Sequence, residues 1–301
     1  MKFIKFIIFI WLFVIIVGCE SNQDKLIVGL IKPSLNHLPF DFGLEIGELD
    51  QEDYQIKYFS SGWETNESLV AGKIDVAILP FTYIWTDVSN EKKVKIISFL
   101  ERESDGIIAS KNIESITELN GKKIGVLRAS TLDIFAEMFA EKNEVEWEFV
   151  YFRTPMDMAS ALKSGEVDAL SYYVPSIFKF PEDEFHIIHW FGDDFAFHPC
   201  CDIAATETAL NDKLPLIKRF LKGMKESCRN INNSPLVAFE GAQKFFGLTF
   251  REAKNSLHHT RYLMDLSTEH KEFEKNAVDI MIRKGYIKNR IEPRDVYYEV
   301  K

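Results

Sequence analysis

A repeated plan constrains the fold of this 301-residue chain more than any other feature. Residues 28–34 read Val-Gly-Leu-Ile-Lys-Pro-Ser, and residues 124–130 read Ile-Gly-Val-Leu-Arg-Ala-Ser. Each is a short apolar run followed by a basic residue and later a Ser. That pattern fits a buried parallel strand leading into a loop or helix start. Further on, Glu67-Ser-Leu-Val-Ala-Gly72-Lys-Ile-Asp75-Val-Ala-Ile matches Ala159-Ser-Ala-Leu-Lys-Ser-Gly165-Glu-Val-Asp168-Ala-Leu. Both read as a helix stopped by glycine, then an Asp, then a buried strand. The offsets are 96 and 93 residues, far too long for a solenoid repeat. Two similar α/β lobes are implied.

Two short apolar stretches, Asp105–Ser110 and Cys201–Thr206, flank the second copy as strands. After Thr206 the pattern turns helical. Ile217, Phe220, Leu221 and Met224 fall at helical spacing, Ser234-Pro235 opens a helix ended by Gly247, and Thr249 with Glu252 makes a capping box. A last helix follows Ser267 and closes at Gly285. These helices have no third copy to serve, so they return to the first lobe, and two strands cross between lobes as hinges.

The N-terminus carries Lys2 and Lys5, then an unbroken apolar run from Phe6 to Val17, the layout of a secretory signal. That run is short for a membrane-spanning helix. Ile16-Val17-Gly18-Cys19 resembles the bacterial lipobox, which implies cleavage before Cys19 and lipid on it. The domain is therefore expected outside the cytoplasm, anchored to the cell membrane by lipid. The net charge of −10 argues against nucleic acid, whose phosphates demand a basic surface. With Cys19 lipidated, Cys200, Cys201 and Cys228 remain, an odd number that implies no disulfide framework.

The chain resembles type II periplasmic binding proteins. More narrowly, it resembles the group that serves ABC importers of nitrate, sulfonates, taurine and thiamine precursors. The residues that carry the likeness are Gly72-Lys-Ile-Asp75-Val-Ala, Ile116-Thr-Glu-Leu-Asn-Gly121-Lys-Lys-Ile-Gly125-Val and Ala159–Ala169. The resemblance implies an α/β fold of two Rossmann-like lobes with a central cleft and two hinge crossings. Residues 1–18 form the signal peptide and 19–24 the lipidated Cys and tether. Residues 25–107 with 205–301 form the first lobe, and 108–204 the second. It also implies a monomer that captures a small molecule by lobe closure and delivers it to an ABC permease. Two rivals keep the fold: an orphan receptor serving a signalling partner, and an enzyme resembling thiamine-pyrimidine synthases.

In open α/β sheets, ligands bind beyond the carboxyl ends of strands, where helix N-termini also point. Four segments meet that rule, and they nominate Asn36, His37, Trp63, Thr82, Tyr83, Arg128, Ser130 and Thr131. Ser130 or Thr131 can cap the helix over residues 132–142, whose free N–H groups could hold an anion. Arg128 adds a bidentate contact there or pairs with a surface acid. Tyr172, Tyr173 and Trp190 follow strands and offer rings for stacking, which favours a heteroaromatic ligand such as a thiamine-precursor pyrimidine; a sulfonate stays open.

His198-Pro-Cys200-Cys201 precedes the second crossing strand, and His198 borders the cleft. Neighbouring residues of a strand point to opposite faces, so the two thiols are not expected to share an ion. No metal or cofactor is expected. The chain has no Gly-x-Ser-x-Gly elbow, His-Glu-x-x-His, Walker loop or dinucleotide fingerprint, which lowers the standing of an enzyme reading.

Overall fold

The computed structural model describes residues 25–300. The expected signal peptide and the lipidation of Cys19 lie outside the described residues. The chain opens with β1 (Leu26–Ile31), α1 (Leu38–Ile46), β2 (Tyr54–Phe59), α2 (Gly62–Val70), β3 (Val76–Pro80), α3 (Phe81–Ser89) and β4 (Val94–Glu103). It continues with β5 (Asp105–Ser110), β6 (Lys123–Leu127), α4 (Thr131–Lys142), β7 (Glu148–Phe152), α5 (Pro155–Ser164), β8 (Ala169–Tyr173) and β9 (Phe185–Trp190). The return consists of β10 (Pro199–Thr206), α6 (Glu207–Asp212), α7 (Leu214–Asn233), α8 (Pro235–Phe246), α9 (Phe250–His258), β11 (Thr260–Tyr262), α10 (Thr268–Arg283) and α11 (Pro293–Val296).

Two mixed sheets result. The first runs β11-β4-β10-β3-β1-β2 and the second β7-β6-β8-β5-β9. In the first, β1 is parallel to β2 and β3; in the second, β6 is parallel to β7 and β8. The sequence echo has a hydrogen-bonding cause. The Asp75 carboxylate accepts from the Ile27 N–H at 2.7 Å, and that of Asp168 accepts from the Lys123 N–H at 2.9 Å. Each Asp also donates its own N–H to the carbonyl of the same residue, at 2.8 and 2.9 Å. One side chain thus fixes the start of the neighbouring strand in both sheets. The paired glycines have a packing cause. A Cβ on Gly125 would stand 2.6 Å from Leu170 and 3.1 Å from Phe152, and one on Gly29 would collide with Ile74 and crowd Phe59. Both strands need glycine because side chains from the neighbouring strands, and Ile74 just before β3, lie against the backbone.

The chain leaves the first sheet at Ser104 and returns to it at Pro199. The boundaries expected from sequence, 107/108 and 204/205, fall inside β5 and β10, because strand pairing assigns β5 wholly to the second sheet and β10 wholly to the first. Glu103 and Ser104 take left-handed φ values of 63° and 80°, and Phe197 on the return takes 57°. The crossings are tied together: the Phe197 N–H donates to the Glu103 carboxylate at 3.1 Å, and the Glu103 N–H donates to the His198 carbonyl at 2.9 Å.

The helices after β10 pack mainly on the first sheet, as the pattern implies, but the end of α10 also reaches the second. Lys284 pairs with Asp133 at 3.1 Å and Glu137 at 2.7 Å, and the Tyr286 hydroxyl donates to Asp133 at 2.7 Å. Beneath the first sheet, fully buried Arg102 stands 2.9 Å from Asp202 and 3.5 Å from Glu274. Trp85 and Tyr297 donate to Glu274. Burial raises both acids, the nearby Glu274 raises Asp202 further, and Arg102 opposes the rise of each. Among the described residues, no helix is long and apolar enough to cross a membrane.

Candidate functional site

A cleft between the sheets has about 50 Å³ accessible to water, room for a few molecules. Its floor is the crossing itself: Glu101, Ser104, Asp105, Cys200 and Cys201. Ser34, Asn36, Ser61 and Gly62 line the first-lobe wall. Leu127, Ser130, Thr131, Pro155 and Tyr173 line the second. The walls touch where the Tyr173 hydroxyl donates to the Pro33 carbonyl at 3.2 Å.

Of the residues nominated from sequence, the structure brings Asn36, Ser130, Thr131 and Tyr173 to this cleft. The Asn36 amide donates toward the Cys201 sulfur at 3.5 Å, and its Oδ1 is buried with no hydrogen-bond partner. Ser130 is the residue before α4, but its hydroxyl donates back to the Leu127 carbonyl at 2.8 Å and does not cap the helix, a correction to the expected role. The first N–H groups of a helix have no partner within it, so the positive end of α4 is left directed at the cleft wall.

The others lie off the lining, for reasons of backbone alternation or packing. Leu127 faces the cleft, so Arg128 faces away, exposed between the rings of Tyr286 and Tyr151 at 5.5 and 5.8 Å. Tyr173 faces in, so Tyr172 faces out, packs on Phe180 and donates to the Pro155 carbonyl at 2.9 Å. His37 turns from Asn36 into the core, where it meets Asp41 at 2.8 Å and the Phe246 ring. Thr82 is buried in α3, and Tyr83 stands behind the wall, 3.0 Å from where a Gly62 Cβ would be. Trp63 is at the outer rim, with Arg153 of the opposite lobe 5.8 Å from its ring. Trp190 is on the rear of the crossing, stacked on His259. His198 sits behind the floor, holding the Phe195 carbonyl at 2.9 Å, with its Nε2 3.8 Å from Asp105.

The expected separation of the two thiols is also corrected. Pro199 pairs with Arg102 and Cys201 with Glu101, so β10 has one extra residue, Cys200, opposite this stretch of β4. A bulge of this kind re-aims side chains. Both sulfurs reach the floor, 3.7 Å apart.

Sequence reasoning missed Glu101 and Asp105, the most charged part of the floor. A signal existed: Glu101-Arg-Glu-Ser-Asp105 interrupts two apolar strand runs. Burial, then the nearby Asp105, pushes the Glu101 carboxyl up to about 8. Burial also raises Asp105. The hydrogen bond with Cys201, with burial, raises the Cys200 thiol, and burial raises that of Cys201. At neutral pH the floor therefore holds protonated thiols, which are poor nucleophiles, and a largely protonated Glu101 that can donate as well as accept.

The sequence profile of the family described as NMT1/THI5 like matches residues 51–238. This chain belongs to that family. A curated binding protein of Brucella abortus strain 2308 is 27% identical over 127 residues, 42% of this chain and 40% of its own length. The chain thus spans about two fifths of the curated relatives it matches. Among solved structures, a ligand-binding component of an ABC-type import system from Staphylococcus aureus with zinc bound superposes on this NMT1/THI5-like chain with a TM-score of 0.80 at 14% identity, covering 92% of this chain and 97% of that one. The alkanesulfonate-binding protein of Xanthomonas axonopodis pv. citri bound to MOPS gives 0.79 at 13% identity, covering 92% and 98%. The periplasmic nitrate-binding protein of Synechocystis PCC 6803 gives 0.75 at 14% identity, covering 90% and 84%. These likenesses establish the two-lobed periplasmic binding protein fold for this NMT1/THI5-like chain, in line with the expectation from sequence.

Proposed function

We propose that this chain is the ligand-receiving component of an ABC importer. It is held outside the cytoplasm by lipid on Cys19, acts as a monomer and passes its ligand to a membrane permease. It binds without turnover. The ligand class is a neutral or weakly cationic, N–H-rich heteroaromatic ring of the thiamine-precursor pyrimidine kind rather than a sulfonate or nitrate.

One observation carries the choice of ligand. Among the described residues lining the cleft there is no Lys, Arg or His, and the carboxyl groups are those of Glu101 and Asp105. A buried anion needs a cationic or hydrogen-bonded partner, and no cationic side chain lines this cleft. An aminopyrimidine suits the same floor. Its N–H groups can donate to the acids, its ring nitrogens can accept from the α4 end, and Tyr173 offers a ring face. Binding energy comes from contacts with both walls, which exist together only when the lobes meet, so ligand favours closure.

The test is thermal unfolding in the presence of a chelator against a panel of aminopyrimidines, thiamine, taurine, alkyl sulfonates and nitrate. A ligand at about 100 times its Kd stabilises by about 2.7 kcal/mol, a shift of several degrees for a chain of this size. Aminopyrimidines are expected to give that shift and to be recovered unchanged. A shift with sulfonate or nitrate alone would overturn the ligand class, and chemical conversion of the ligand would overturn the binding-only reading.

A further inference from the structure

The bulge in β10 produces an arrangement that lobe closure does not explain. Two thiols from adjacent residues and a carboxyl from the facing strand converge on one point of the cleft floor. The Cys200 and Cys201 sulfurs are 3.7 Å apart, and a ligating atom of Glu101 lies within 4.8 Å of both. Two thiolates held tetrahedrally at Zn–S distances of about 2.3 Å stand about 3.8 Å from each other, so the sulfurs already have the spacing of two zinc ligands. All three residues are buried, at 6%, 4% and 2% exposure.

We propose that Glu101, Cys200 and Cys201, releasing their protons to solvent as the ion binds, form a binding site for a thiophilic divalent cation of the zinc class, with its fourth position open to the cleft. Two sulfurs and one oxygen are a donor set that selects such an ion over magnesium or calcium, which take oxygen ligands. Three protein ligands with an open fourth position are the pattern of zinc sites that take an exchangeable ligand.

The surroundings supply the outer contacts such a site uses. The Asn36 amide donates to the Cys201 sulfur at 3.5 Å. Asp105 Oδ1 lies 3.9 Å from the Cys200 sulfur, and the Ser104 hydroxyl is 3.4 Å from the same Oδ1. Behind it, Asp105 Oδ2 and His198 Nε2 are buried, 3.8 Å apart, and neither has a hydrogen-bond partner. These groups are one small adjustment from a chain running His198–Asp105–Cys200. The ion's open position would accept a lone pair from a ligand in the cleft, a contact the protein groups alone do not offer.

The experiment is a titration of the full chain, in detergent and kept reduced, with cobalt(II) as the spectroscopic substitute for zinc. The expected result is one cobalt per chain, a thiolate-to-cobalt charge-transfer band, tetrahedral ligand-field bands, and displacement of all three by zinc. Cys200→Ser and Cys201→Ser should each weaken the charge-transfer band, and their combination should abolish it. Loss of outer-contact residues alone costs 10–100-fold in metal affinity, so loss of a direct ligand by Glu101→Gln should cost about a hundredfold or more. Cys228→Ser, in α7 and outside the cleft lining, should change nothing. No charge-transfer band in the unsubstituted protein overturns the proposal, as does a band that survives in the double serine variant. The titration uses the metal alone and the ligand panel is metal-free, so either idea can fail without the other.

Discussion

The Trp190 indole and the His259 imidazole lie parallel across the rear of the crossing, their centroids 3.6 Å apart and their planes 13° from each other. Trp190 ends the edge strand of the second sheet, and His259 links α9 to β11 of the first. The pair therefore fastens one lobe to the other without touching the cleft lining. An aromatic pair contributes about 0.5–1.5 kcal/mol beyond its buried area. If the fastened arrangement is the one that holds ligand, Trp190→Ala should weaken ligand binding about 2- to 13-fold, with unchanged stoichiometry, and Trp190→Phe should keep most of the affinity. Isothermal titration checks both.

The same contact sets a pH dependence. Burial first, then the nearby charges of His258 and Arg261, lowers His259 to about 4, against a partial opposing effect of Asp193. The unfolded chain, near 6.5, takes up the proton first, so neutral His259 supports the fold above about 6.5 and that support is lost as pH falls toward 4. Melting temperatures between pH 7 and pH 4.5 should fall less steeply in His259→Phe, which keeps a ring against Trp190, than in the unsubstituted protein. Equal slopes would show that His259 is not held neutral.

Arg102 is the cation that pairs with both Asp202 and Glu274 in that buried cluster. Removing one partner of a buried ion pair costs about 3–5 kcal/mol because it leaves uncompensated charge. Arg102→Leu should lose about that much in denaturant unfolding. Arg102→Leu combined with Asp202→Asn and Glu274→Gln should recover a large part of it.

Gly106 opens the second sheet under tight cover. A Cβ there would meet the His189 carbonyl at 2.7 Å and the Trp190 ring at 2.8 Å. The carbonyl belongs to the neighbouring strand and cannot swing aside. Gly106→Ala should cost about 1–3 kcal/mol, the range for overpacking a tight site, and displace Trp190 from His259. Thermal unfolding measures the first effect and tryptophan fluorescence the second.

The lobe plan was legible because the residues that build it are local. Gly72, Asp75 and the strand after it repeat as Gly165, Asp168 and its strand, and the structure shows the Asp hydrogen bonds that make this unit recur. The cleft was less legible, since facing in or out depends on which side of a strand a residue occupies. Sequence order nominates both Tyr172 and Tyr173, of which only Tyr173 faces in, and it nominates Arg128 where the preceding Leu127 faces in. The bulge at Cys200 was invisible for a related reason. It exists only as a mismatch of register between β10 and β4, and those strands are about a hundred residues apart. Glu101 and Asp105 were overlooked because a short polar interruption between apolar runs also reads as an exposed turn.

Small-angle X-ray scattering, with and without a saturating ligand from the thermal panel, tests most directly whether the two lobes close on a ligand. In the arrangement described here the lobes touch through Tyr173 with Pro33 and Trp190 with His259. The expected result is a larger radius of gyration without ligand, and a curve with ligand that agrees with the one calculated from this arrangement. Identical curves in both conditions, with the ligand bound, would contradict capture by closure.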